Sequence, residues 1–222
     1  MQIRIVMGLA ALAALAGCDM LQNMNPMGGG GNAMIDAIKD QPAMYSVQLP
    51  PNAAVGTWWE MDMSGMKQKT CVVAEKDGKF VVEQISDMGG TMLVQAFLVD
   101  PTVDLAQVPV AGEEMANNVS AAWVGAEGDE PIERKVMAPM KVPEATGGTA
   151  EPVDMESGKE TVTLAGNSFD TEWTEVAGSK TWMIEGTLFL LKSVSGGNTT
   201  MEISGWGNDA KPALKWDGDK EE

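Results

Sequence analysis

From Thr57 to Ile203 apolar residues recur at every second position in short runs, and glycine-containing turns interrupt the runs roughly every eight to twelve residues. A chain patterned in this way is built for antiparallel strands joined by tight hairpins. In Thr57 to Met63, Trp59, Met61 and Met63 fall on one face and Trp58, Glu60 and Asp62 on the other. Ser64-Gly65 turns the chain into a strand over 69–74, and Asp77-Gly78 turns it again into one over 80–85. Gly89-Gly90 leads into a further apolar run, 91–99. The C-terminal third repeats the scheme. Val162 and Leu164 alternate with threonines, and Phe169, Thr171 and Trp173 oppose Asp170, Glu172 and Thr174. Trp182 and Ile184 share a face, 188–191 is continuous and apolar, and Met201 and Ile203 flank Glu202.

Between these blocks the signal weakens. Pro101, Pro109 and Gly112 predict a loop with a short helix near Glu113 to Asn118, followed by strands at 121–124 and 132–137. Pro139, Pro143, Gly147-Gly148 and Pro152 predict a long loop over 138–159. Ahead of the strands, Met34, Ile35 and Ile38 share one face of a short helix at 33–39. The expected fold is therefore one mainly β domain, residues 33–210. Its sheet is antiparallel and strongly curved, a half-barrel or sandwich with one or two short helices, and it ends in a polar tail at 211–222. The order Trp59, Lys69-Thr70-Cys71, Phe80-Val81-Val82 is echoed by Trp173, Lys180-Thr181-Trp182, Phe189-Leu190-Leu191, as in two similar meanders.

The N-terminus obeys other rules. Arg4 precedes an apolar run of about a dozen residues, too short for the roughly 20 needed to span a bilayer. The run closes on Leu15-Ala16-Gly17-Cys18. It resembles the signal peptide and lipobox of bacterial lipoproteins. That resemblance implies removal of residues 1–17, acylation of the Cys18 thiol and of the new amino group, and a membrane anchor on the periplasmic side. In enteric members of the family an Asp after the cysteine implies retention in the inner membrane, and Asp19 holds that place here. Residues 18–32, with four consecutive glycines, are expected to form a tether reaching roughly 20 Å. A curved sheet on such a tether is similar in outline to the half-barrel carriers of the lipoprotein-localisation pathway, which hold acyl chains on a concave apolar face.

Charge and composition narrow the function. The 222 residues carry 15 basic and 32 acidic side chains, a net charge of -17 that repels nucleic acid and anionic head groups. The chain has no histidine, which removes Ser-His and Cys-His nucleophile pairs and His-bearing zinc sites. No cofactor, metal or catalytic residue is expected. After acylation of Cys18, Cys71 is the lone thiol, read as a buried strand residue. Met61, Met63 and Met66 resemble the methionine-rich runs of periplasmic copper-handling proteins, but their alternation suits a core better than soft-metal ligation. The acidic pairs lack the spacing of a calcium loop.

Seven tryptophans against one tyrosine either fill the core or form an aromatic ligand or contact surface, for which Trp58, Trp59, Met61, Met63, Trp173 and Trp182 are the candidate residues. The expected function is a non-catalytic, anchored lipoprotein. It binds either an apolar or lipid ligand, in a groove lined by Trp59, Met61, Val82, Trp173 and Leu190, or an envelope protein. A structural or assembly role in an envelope complex is the alternative, followed by Met-dependent copper binding and by an enzyme built on carboxylates.

Overall fold

A computed structural model describes residues 31–107, 110–143 and 154–216. One helix, α1 (Gly31–Ile38), precedes eleven strands: β1 (Trp58–Met63), β2 (Met66–Lys76), β3 (Lys79–Asp87), β4 (Met92–Val99), β5 (Val119–Ala126), β6 (Ile132–Arg134), β7 (Met155–Leu164), β8 (Asn167–Val176), β9 (Ser179–Ile184), β10 (Leu190–Ser195) and β11 (Asn198–Gly207). All eleven form one antiparallel sheet in the order β6-β5-β4-β3-β2-β1-β11-β10-β9-β8-β7. Each half is a meander, and the halves join through β1 and β11, with Trp59 opposite Trp206. The sheet stays open, with β6 and β7 as its edges.

Local chemistry explains the hairpins. In the five two-residue turns, at 64–65, 77–78, 165–166, 177–178 and 196–197, both residues have positive φ. That is the turn whose twist matches paired strands, and its second place is glycine each time.

The sheet curls on itself. Val162, Leu164 and Phe169 of β7 and β8 pack in the same cluster as Val72, Val82 and Phe97 of β2 to β4. Two faces follow from the register. Val72, Val82, Phe97, Ala122 and Arg134 form one row on the inner, concave face. Cys71, Glu83, Ala96 and Trp123 form a row on the outer face.

Sequence patterning and structure part at four places. Residues 113–118 are not helical: Gly112 to Met115 pair with Met140 to Val142, so strand-like bonds replace helical ones. The expected strand at 132–137 stops at Arg134, because Val136 instead bridges Ala43. The loop placed over 138–159 is cut short by β7, which begins at Met155 and takes its register from β8. Residues 211–216, read as polar tail, carry a Leu214 that is only 2% exposed.

Candidate functional site

The concave face is filled by the chain itself. After α1, residues 41–53 cross it as an extended strap, with Ala43, Tyr45 and Val47 buried and Met44 and Gln48 exposed. The Ala43 N–H donates to Lys135 O and the Met137 N–H donates to Ala43 O, each at 2.8 Å. Asn118 clamps the far end: its amide nitrogen donates to Val47 O at 2.8 Å and its Oδ1 accepts from the Val47 N–H at 2.9 Å. Arg134 clamps the near end, donating to the carbonyls of Gln41 and Pro42 and, at 2.8 Å, to Gln95 Oε1. Burial lowers the guanidinium's affinity for its proton.

The groove expected from the sequence is thereby occupied. Val82 is fully buried and Trp59 is 4% exposed, packed edge-on against Phe189 and tilted against Trp206. Met61 packs against the same core, and Met63 pairs with Met66 across the first hairpin. Trp59 and Val82 lie inside one core cluster with Ala43 and Val47 of the strap and with Phe189 and Leu191.

Trp58 goes to the outer face, as the alternation requires. Its indole covers Gly205 and Gly207, donates to Asp209 Oδ1 at 2.7 Å and lies 4.3 Å beneath the Lys69 ammonium. The same face carries a feature the sequence did not announce. Glu83 is fully buried on β3, and residues 210–216 lie over it. Its carboxylate accepts from the Ala213 N–H at 2.6 Å, the Leu214 N–H at 3.3 Å and the Trp216 indole at 2.8 Å. Trp216 then meets Trp123 edge-on. Cys71 packs in this outer core, 2% exposed, and burial pushes its thiol up to about 11.

Trp173 and Trp182 form a separate cluster, directly opposite one another on β8 and β9. The Lys180 ammonium sits 3.8 Å from the first ring centroid and 4.7 Å from the second. Glu160 of β7 accepts from the Trp182 indole and from Lys180, and those bonds, the indole's first, hold its carboxyl below the ordinary glutamate range. Trp173 also lies flat over Gly158, where an added Cβ would come within 2.8 Å of the ring. These rings are covered by the chain's own cation and glycine, so the six candidate residues divide among an inner core, an outer face and this cluster.

A depression of about 430 Å3 opens at the end of the half-barrel. Its walls come from the strap (Leu49, Pro50), the loop after β4 (Pro101, Asp104) and the turn before β10 (Leu188, Phe189). None of the candidate residues lines it. The prolines interrupt the periodicity, so pattern-reading files these segments as linkers.

Cys18 and Asp19 lie outside the described residues. Among the described residues no helix is long and apolar enough to cross a membrane, and no three His, Cys, Asp or Glu side chains gather as a metal site. Compared with protein-family models, curated proteins and solved structures, the chain matches none.

Proposed function

We propose that this chain is a non-catalytic bacterial lipoprotein, anchored on the periplasmic side through acyl chains on Cys18 and, from Asp19, held in the inner membrane. Its β domain recognises an envelope protein by its surface and does not carry a lipid inside. One observation supports the choice between those two ligand classes: the strap at 41–53 takes up the concave face on which an acyl chain would lie. The composition points the same way for catalysis, since a chain without histidine lacks the side chain most often used for proton transfer near neutral pH.

The test is purification from membranes after in-cell crosslinking, with mass spectrometry of the lipids and proteins that accompany the chain. A single crosslinked protein, and no lipid beyond the anchor, is the expected result. A stoichiometric lipid retained by a Cys18→Ser variant would overturn the reading. Palmitate labelling that persists in Cys18→Ser would remove the anchor.

A further inference from the structure

Four of the eight exposed large apolar side chains in the described structure, Met44, Val110, Met137 and Met140, lie on three adjoining segments beside the β6 edge. The hydrogen bonds show that the segments are contiguous. Ala43 bridges Val136, so Met44 and Met137, next in each segment, are neighbours while Ala43 is buried beneath them. The Met115 N–H donates to Met140 O at 2.8 Å, which sets those two residues opposite one another. The Tyr45 hydroxyl donates to Met115 Sδ at 3.2 Å and ties that pair to the strap. The Gly112 N–H reaches Val142 O and the Glu113 N–H reaches Val110 O, which places Val110 at the rim.

The charge of this surface differs from that of the molecule. Segments 41–49, 110–118 and 132–143 expose Glu113, Glu114 and Glu133 against Lys135 and Lys141, with Arg134 buried, a balance of -1 in a chain of -17. From Asp154 to Asp209 the chain holds nine acidic residues and three lysines.

We infer that this weakly charged, methionine-rich surface is the face that rests on the lipid bilayer. The inference builds on the anchor at Cys18. Only residues 19–30 separate that cysteine from α1, and twelve residues span at most about 40 Å fully extended. An anchor of that length keeps the domain near the head groups, and the question is which side meets them. A strongly acidic side is repelled by anionic head groups. A side with a balance of -1 is repelled far less, and its unbranched thioether side chains enter an irregular interface with little loss of contact.

The experiment is hydroxyl-radical footprinting of the full acylated protein in vesicles of phosphatidylethanolamine and phosphatidylglycerol. The reference is the Cys18→Ser protein in solution. Met66 and Met155, 40% and 39% exposed and on other strands, serve as internal controls for Met44, Met137 and Met140 at 37%, 42% and 48%. The expected result is a several-fold slower oxidation of Met44, Met137 and Met140 in vesicles, with the two controls unchanged. Equal rates at all five positions in vesicles and in solution overturn the inference. So does protection that is already present in the soluble variant, which would mark a protein contact. The same digest reports the mass of the Cys18 peptide: without acyl chains the anchor itself falls, and with them a negative footprint removes this face alone.

Discussion

Three buried polar side chains hold the two straps of this protein, and each does so through backbone groups. Glu83 receives two N–H groups and an indole, Arg134 grips two carbonyls, and Asn118 pairs both edges of Val47. Burying a carboxylate is costly unless hydrogen bonds replace its water, and three donors do so for Glu83. A Glu83→Gln change keeps the shape but turns an amide NH2 toward N–H donors, leaving one or more unmatched. The expected loss is about 2 to 3 kcal/mol in denaturant unfolding, with faster proteolysis in 208–216. Unchanged stability would mean that the outer strap is held by apolar contact alone. Nothing in the run Phe80 to Ile85 distinguishes Glu83 from a solvated strand residue. Its partners are 130 to 133 residues away, and only the tertiary fold brings them near.

The elements themselves were far more legible. The X-Gly pairs at 64–65, 77–78, 165–166 and 177–178 specify hairpins locally, because a turn with two positive φ values favours glycine and fixes the register of both flanking strands. Glycine has a second use at Gly207, whose role is space. A Cβ there would meet the Trp58 indole at 2.5 Å from Nε1. Gly207→Ala should therefore displace Trp58, break its bond to Asp209 and cost about 1 to 3 kcal/mol by overpacking. Gly78→Ala is the comparison, with open space around the site but a φ of +75°. Thermal unfolding of both variants separates steric from conformational cost, and restored Trp58 fluorescence in Gly207→Ala would refute the packing argument. Where hairpin signals were missing, boundaries moved. The segment Glu113 to Asn118 has no strand period of its own, and its pairing with 140–142 is a long-range event.

At the scale of the molecule, curvature creates an interior and the N-terminal strap fills it. Val47 is central to that filling, 3% exposed and held at both backbone groups by Asn118. Val47→Asp would set a charge against the core and release the strap, with a loss of about 3 kcal/mol or more. The opened concave face should then bind a hydrophobic dye that the native protein does not. A variant that unfolds cooperatively at the native midpoint, without dye binding, would show that the strap is not part of the core.

Period-two patterning and hairpin glycines determined from the sequence alone that the protein is mainly antiparallel β. Those signals act between neighbours in the chain and need no third element. A single curved sheet in place of a sandwich was decided by the long-range pairing of β1 with β11. Only the tertiary structure decided what the curved sheet encloses. The groove drawn from Trp59, Met61, Val82, Trp173 and Leu190 assumed an empty concave face, whereas residues 41–53 occupy it and residues 210–216 cover part of the outer one. Both segments are short, irregular and rich in proline or polar residues. Their positions follow from bonds to Arg134, Asn118 and Glu83, and such bonds have no period to be read before the chain has folded.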